Sequence, residues 1–114
     1  MKKIIAYKDY FLDFMSKLAD NEKDKINRAL LLLESEDKLP SHYIGYIRDG
    51  LFEYRISGEN KEFRIFFIFD EDKLVVLLNC FVKKTKKTPN KEIEKAIKLK
   101  EEYKVWKTKT NISM

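Results

Sequence analysis

The run from Leu74 to Val82, LVVLLNCFV, gives way at once to Lys83, Lys84, Lys86 and Lys87. It is short, with valine at 75, 76 and 82 and phenylalanine at 81, which favours a buried central strand over a helix. Lysine ammonium groups crowded into residues 83–87 cannot be buried together, so the strand's far end must leave the core there. Charge along the chain is equally lopsided. Residues 1–72 carry 12 Lys/Arg against 15 Asp/Glu, whereas residues 73–114 carry 12 Lys against 4 Glu, or −3 against +8. A basic half of this kind points to a polyanion or an acidic protein as partner.

With 114 residues there is chain for a single core. A hydrophobic content of 44% with 13% aromatics excludes disorder, and 3 glycines and 2 prolines leave little room for long loops. The single Cys80 excludes an intramolecular disulfide framework and a cysteine-based zinc cluster, and fits a reducing compartment. No apolar run approaches the roughly 18–20 residues of a membrane span. The N-terminal stretch MKKIIAYKDYF is interrupted by Lys8 and Asp9, unlike a signal peptide. A cytoplasmic location with no membrane contact is expected.

In chain order, residues 2–7 read as a short strand. Asp9 then caps a helix with Phe11, Phe14, Met15 and Leu18 on one stripe. Asp20-Asn21 breaks the stripe, and a second helix runs from about Glu22 to Glu36 with Ile26, Ala29, Leu30 and Leu33 inward. So short a break implies an antiparallel helical hairpin. Leu31 and Leu32 widen its apolar face. Residues 37–50, with Pro40 and Gly45, read as a connecting loop ending in Asp49-Gly50.

Three strands follow: an alternating Leu51–Ser57, a turn at Gly58-Glu59-Asn60, a nearly continuous apolar Phe63–Phe69, and Lys73–Val82 after the acidic turn Asp70-Glu71-Asp72. Thr88-Pro89 supplies a cap and a first helical residue for a basic helix to about Lys104. The expectation is an α+β domain over residues 1–104, ordered β-α-α-β-β-β-α with an antiparallel sheet, and a loose tail over 105–114.

Arg64 stands out inside the run Phe63–Phe69, since a guanidinium there must be paired or reach a solvated cleft. If the hairpin turns at 58–60, Arg55 comes opposite Arg64 on a shared face. Two like charges then need Glu53 or an external anion between them. Glu53 gives a structural ion pair; the alternative is an anion site that the lysines at 83–87 help to surround, with Lys91 beside a helix N-terminus. His42 is the only histidine, so a two-histidine acid–base mechanism is closed, and on a loop it reads as inert. The acidic groups Asp70-Glu71-Asp72 and Glu34-Glu36-Asp37 read as solvent-facing punctuation, giving little support for a metal; no cofactor is expected. Cys80 reads as a core residue. No phosphate-binding glycine loop, serine nucleophile elbow or dinucleotide fingerprint is present.

The segment from Asp49 to Ala96 resembles the RelE/ParE toxin superfamily, in its phage-related HigB-like branch. The matching stretches are Gly50-Leu51-Phe52-Glu53-Tyr54-Arg55-Ile56, Phe63-Arg64-Ile65-Phe66-Phe67, Phe81-Val82-Lys83-Lys84-Thr85, and Thr88-Pro89 through Glu92-Ile93. The resemblance implies a small α+β fold and a type II toxin restrained by a cognate antitoxin, of the helix-turn-helix type. It also implies either mRNA cleavage at the ribosome or, as in ParE-like members, inhibition of DNA gyrase. A non-catalytic basic regulatory protein is the third possibility.

By motif position, Arg55, Arg64, Lys83 and Lys84 fall where RelE-like toxins contact mRNA and stabilise its transition state. Glu53 belongs to the same strand motif. No His or Tyr follows the last strand where several nucleases of the superfamily place an acid or base. Metal-independent cleavage proceeds by attack of a 2′-hydroxyl on the adjacent phosphate and needs proton transfers and cationic donors. The expectation is that Arg55 and Arg64 bind the phosphate, Lys83 or Lys84 moves protons, and Lys86, Lys87 and Lys91 hold RNA by charge.

Overall fold

The computed structural model describes residues 2–36, 38, 39 and 41–112. Its elements are β1 (Lys3–Ala6), α1 (Tyr10–Ser16), α2 (Asp20–Ser35), β2 (Ile44–Arg48), β3 (Leu51–Ser57), β4 (Glu62–Asp70), β5 (Leu74–Lys83) and α3 (Asn90–Ile112). The fold is α+β, as expected, around a five-stranded mixed sheet of order β1-β5-β4-β3-β2. Neighbours among β2 to β5 pair antiparallel, but β1 pairs parallel to β5 at the sheet's edge, so the sheet is mixed rather than antiparallel throughout.

Alternation along the strands sorts side chains to two cores. Tyr54, Ile56, Phe63, Ile65 and Phe67 face the α1–α2 hairpin, meeting Ile26 and Leu33 of α2 with Phe11, Phe14 and Met15 of α1. Leu51, Phe66, Ile68 and Val76 face the other way, against Ala96, Leu99 and Tyr103 of α3. Residues with period 2 thus build a sheet that is covered on both sides, which is why β4 and β5 read as almost unbroken apolar runs.

A bulge breaks the β4–β5 register: Ile65 pairs with Cys80 but Phe67 with Leu77, so Phe66 opposes two residues. Leu78 and Asn79 therefore both reach α3, Leu78 in its apolar core and Asn79 by hydrogen bonds to Glu92.

Three expectations need correction. Residues 44–48 form a strand, and Asp49-Gly50 is its hairpin turn with β3 rather than the end of a loop. Consecutive positive φ angles, 53° at Asp49 and 80° at Gly50, suit a two-residue turn matching the strands' twist. Lys100 of α3 donates to the Asp49 carbonyl and pins this turn. The last helix continues past Lys104 to Ile112, so 105–112 is not a loose tail; Ser113 and Met114 lie outside the described residues, as do Asp37 and Pro40 of the expected loop. Thr88 does not cap α3: the Pro89 carbonyl accepts from the Glu92 and Ile93 amides, and the Thr88 hydroxyl goes elsewhere. No helix among the described residues is long and apolar enough to cross a membrane.

The extension of α3 is tied to the sheet at Asp70, whose side chain is 13% exposed and accepts from Lys107 Nζ at 2.6 Å. Tyr103 donates its hydroxyl to the other carboxylate oxygen. Burial opposes ionisation of Asp70, but Lys107 and Tyr103 outweigh it and hold the carboxyl below the usual range. The stabilisation is therefore fully present above the ordinary carboxylate pKa and lost as pH falls through the lower folded value. Asp70→Asn should lower stability by about 1.5–3 kcal/mol at neutral pH, the scale of hydrogen bonds to a charged group. Thermal melts from pH 7 down to pH 2 should show the gap to wild type closing in acid. A gap of constant size would assign the loss to packing instead.

Candidate functional site

The β3–β4 register places Arg55 directly opposite Arg64, as the hairpin turn at 58–60 implies. Both lie on the α3 side of the sheet, where Glu53 stands between them. Glu53 Oε2 accepts from Arg55 Nε at 3.3 Å, and Glu53 Oε1 lies 3.6 Å from Arg64 Nε. Thr88, just before α3, donates its hydroxyl to Oε1 at 3.1 Å. The carboxylate's side chain is only 6% exposed. Two opposed guanidinium groups would repel. A buried counter-charge with three partners offsets that repulsion and fixes both arginines.

The arginines differ in access. Arg64 is 5% exposed in its side chain, lies 3.6 Å from Glu62 through Nη2, and donates Nη1 to the Phe63 carbonyl at 3.3 Å. Its Nε has no hydrogen-bond partner of good geometry. Arg55 is 38% exposed and sits at the sheet edge, with Nη1 3.4 Å from the Ser41 carbonyl. Its guanidinium crosses Gly45 of β2, where a Cβ would lie 2.2 Å from Nη2. Gly45 thus keeps open the path by which Arg55 reaches the edge.

Lys83 ends β5 opposite Glu62, placing it on the face that carries Glu62 and Arg64. Lys84, Lys86 and Lys87 are exposed on the segment entering α3, and Lys91 is exposed in its first turn. Among the described residues none of these five lysines has an ion pair. Nearby, Asn79 Nδ2 donates to both the carbonyl and the side chain of Glu92 at 3.2 Å, anchoring the first turn of α3. The structure therefore brings Glu53, Arg55, Arg64 and Lys83 to one face, and lays the remaining lysines along an exposed rim. It buries Arg64, so the guanidinium open to a ligand is that of Arg55.

Other candidates settle as follows. Burial pushes the Cys80 thiol up to about 12, which suits a core residue rather than a nucleophile. His42 is exposed and packs its ring on Tyr43 with centroids 4.1 Å apart. Among the described residues no group of three or more His, Cys, Asp or Glu side chains is placed to hold a metal ion.

Residues 13–101 match the phage-derived protein Gp49-like (DUF891) family. The chain belongs to that family. Gp49-like proteins are RelE-like toxins of toxin–antitoxin systems. A search of curated proteins finds no match to the chain. In this Gp49-like chain the matched region spans α2, the whole antiparallel part of the sheet and the first half of α3, and so includes every residue of the Glu53 cluster.

Gly45, Thr88 and Asn79 are the contributors that sequence reasoning missed. Asn79 had a visible signal, a lone amide in an apolar run. Thr88 was misread because a hydroxyl before proline is usually a cap.

Two substitutions separate framework from reach. Arg64→Ala leaves a buried carboxylate short of a partner and should cost about 3 kcal/mol, so its loss of function would be accompanied by a lower unfolding midpoint. Gly45→Ala meets only the far end of a flexible side chain and should change stability by less than about 1 kcal/mol. It should nonetheless move the Arg55 Nε–H resonance as the guanidinium shifts to clear the new methyl group. An unshifted resonance at wild-type stability would show that Arg55 does not depend on Gly45.

Proposed function

We propose that this chain is the toxin of a type II toxin–antitoxin pair and acts as a metal-independent, ribosome-dependent mRNA endoribonuclease. The observation that supports this most is the Arg55 guanidinium, held by a buried Glu53 at the sheet edge and set on the face shared with Lys83. Arginine's planar fork suits a phosphodiester, and its attachment to a rigid strand fixes its aim. Membership of a RelE-like toxin family adds to the reading.

In the proposed reaction the 2′-hydroxyl oxygen attacks the adjacent phosphorus. The bond from phosphorus to the 5′-oxygen breaks, leaving a 2′,3′-cyclic phosphate and a 5′-hydroxyl. Arg55 and Lys83 meet the charge that builds on the non-bridging oxygens. The Lys83/Lys84 pair moves the protons, one lost from the 2′-hydroxyl and one gained by the 5′-oxygen. Arg64 acts through Glu53, as a positioning residue. Lys86, Lys87 and Lys91 hold ribosomal or messenger RNA by charge. The cognate antitoxin, read as an acidic or apolar helix-bearing partner, would restrain the toxin by covering this rim.

A reconstituted translation reaction tests the proposal. Wild type should yield mRNA fragments ending in the ribosomal A site, and Arg55→Ala should reduce them about a hundredfold or more, given the roughly 2.7–4 kcal/mol that one transition-state donor is worth. Replacing Lys86 and Lys87 together with alanine should weaken ribosome association and flatten its salt dependence. Absence of fragments with wild type, together with inhibited gyrase supercoiling, would replace this reading with the ParE-like one.

A further inference from the structure

We infer that the cleft between α2 and the open end of β3 is a nucleotide subsite, taking a base against His42 and Tyr43 and its phosphate against Lys25 and Arg28. The inference rests on the RNA-cleaving reading above and extends it to residues outside the Glu53 cluster. The cleft encloses about 670 Å³, within the range of small-ligand sites. It exists because β2 starts at Ile44, opposite Tyr54, while β3 continues to Ser57. The Tyr43 carbonyl still accepts from the Arg55 amide at 2.7 Å. Beyond that bond the edge of β3 has no neighbouring strand.

The wall is aromatic, and it lies outside the core. His42 and Tyr43 pack ring to ring with an interplanar angle of 42°, and both are exposed. Exposed aromatic faces at the margin of a basic surface are how single-stranded RNA bases are held, since every base offers a π-face. The floor is apolar, from Ala29, Leu32 and Tyr54, and the Tyr54 hydroxyl is already committed to the Ala29 carbonyl at 2.7 Å.

Lys25 and Arg28 rise from one face of α2 at a spacing of three. Both are exposed, and neither has an ion pair among the described residues. Of the carboxylates lining the cleft, Glu62 is engaged by Arg64, and Asp24 is exposed. Arg55 also lines this cleft. A strand whose scissile phosphate meets Arg55 would thus place a neighbouring nucleotide here.

The test uses the full chain and a tetranucleotide RNA analogue with 2′-O-methyl groups, which cannot supply the attacking hydroxyl. Stacking should move the His42 and Tyr43 ring-proton resonances upfield. Arg28→Ala should weaken analogue binding about tenfold without changing the melting profile. In the translation reaction, His42→Ala and Tyr43→Leu should reduce cleavage about tenfold and flatten preference for the base beside the cut.

If analogue binding moves only the Lys83–Lys91 resonances, or both ring variants keep the wild-type base preference, the subsite is overturned. Ring resonances that respond to an acidic amphipathic peptide but not to the analogue would overturn it too, making the cleft a protein dock. Should wild type bind the analogue in the cleft yet cleave no mRNA, the subsite stands and the nuclease reading falls.

Discussion

A carboxylate buried between two guanidinium groups is the constraint on which this molecule's surface chemistry depends. Without Glu53, Arg55 and Arg64 would face each other across a strand pair with nothing to separate their charges. With it, one arginine is locked inside and the other is aimed at the sheet edge. The Thr88 hydroxyl brings the segment entering α3 to the same carboxylate. Side chains from β3, β4 and the approach to α3 are thus fixed by one acceptor group. Such a cluster is costly to break one partner at a time, because each deletion leaves a buried charge behind.

That cost also explains the division of labour among the cations. Those inside the protein are neutralised by neighbours: Arg64 by Glu53 and Glu62, and Lys100 through the Asp49 carbonyl and Glu101. The lysines from 83 to 91 have no such partners among the described residues. Charge left uncompensated on a surface adds self-repulsion to the folded state, and its natural relief is an anionic partner. Around the edge of β3, Lys25 and Arg28 likewise have no ion pair among the described residues.

Much of this could be read from the chain, for identifiable reasons. The Arg55–Arg64 opposition followed from counting outward from the Gly58–Asn60 turn, because pairing in a hairpin is local. The burial of β5 as a central strand followed from its unbroken apolar character. Strand β2 was missed although Asp49-Gly50 is a strong hairpin signal; Gly45 and the preceding Pro40 made the stretch look like a loop. The helix was cut short at Lys104 because its later turns are rich in lysine and threonine and poorly periodic. Its continuation depends on Asp70, 37 residues away in sequence from Lys107. The cleft could not be anticipated at all. Its lining from α2 and β3 is brought beside His42 and Tyr43 only by the fold.

Gly45 shows how far the missed strand matters. Read as a loop residue, it carries no information about function. Read as the β2 partner of Glu53, it lies under the Arg55 side chain. A Cβ there would occupy the path the guanidinium takes to the edge, and the atoms it meets belong to the Arg55 side chain alone. Stability and reach are therefore set by different residues in this site: Glu53, Arg64 and Thr88 hold the framework, whereas Gly45 decides where Arg55 ends. A cluster built this way can keep its buried charges balanced while its one accessible guanidinium is re-aimed by change at a neighbouring glycine.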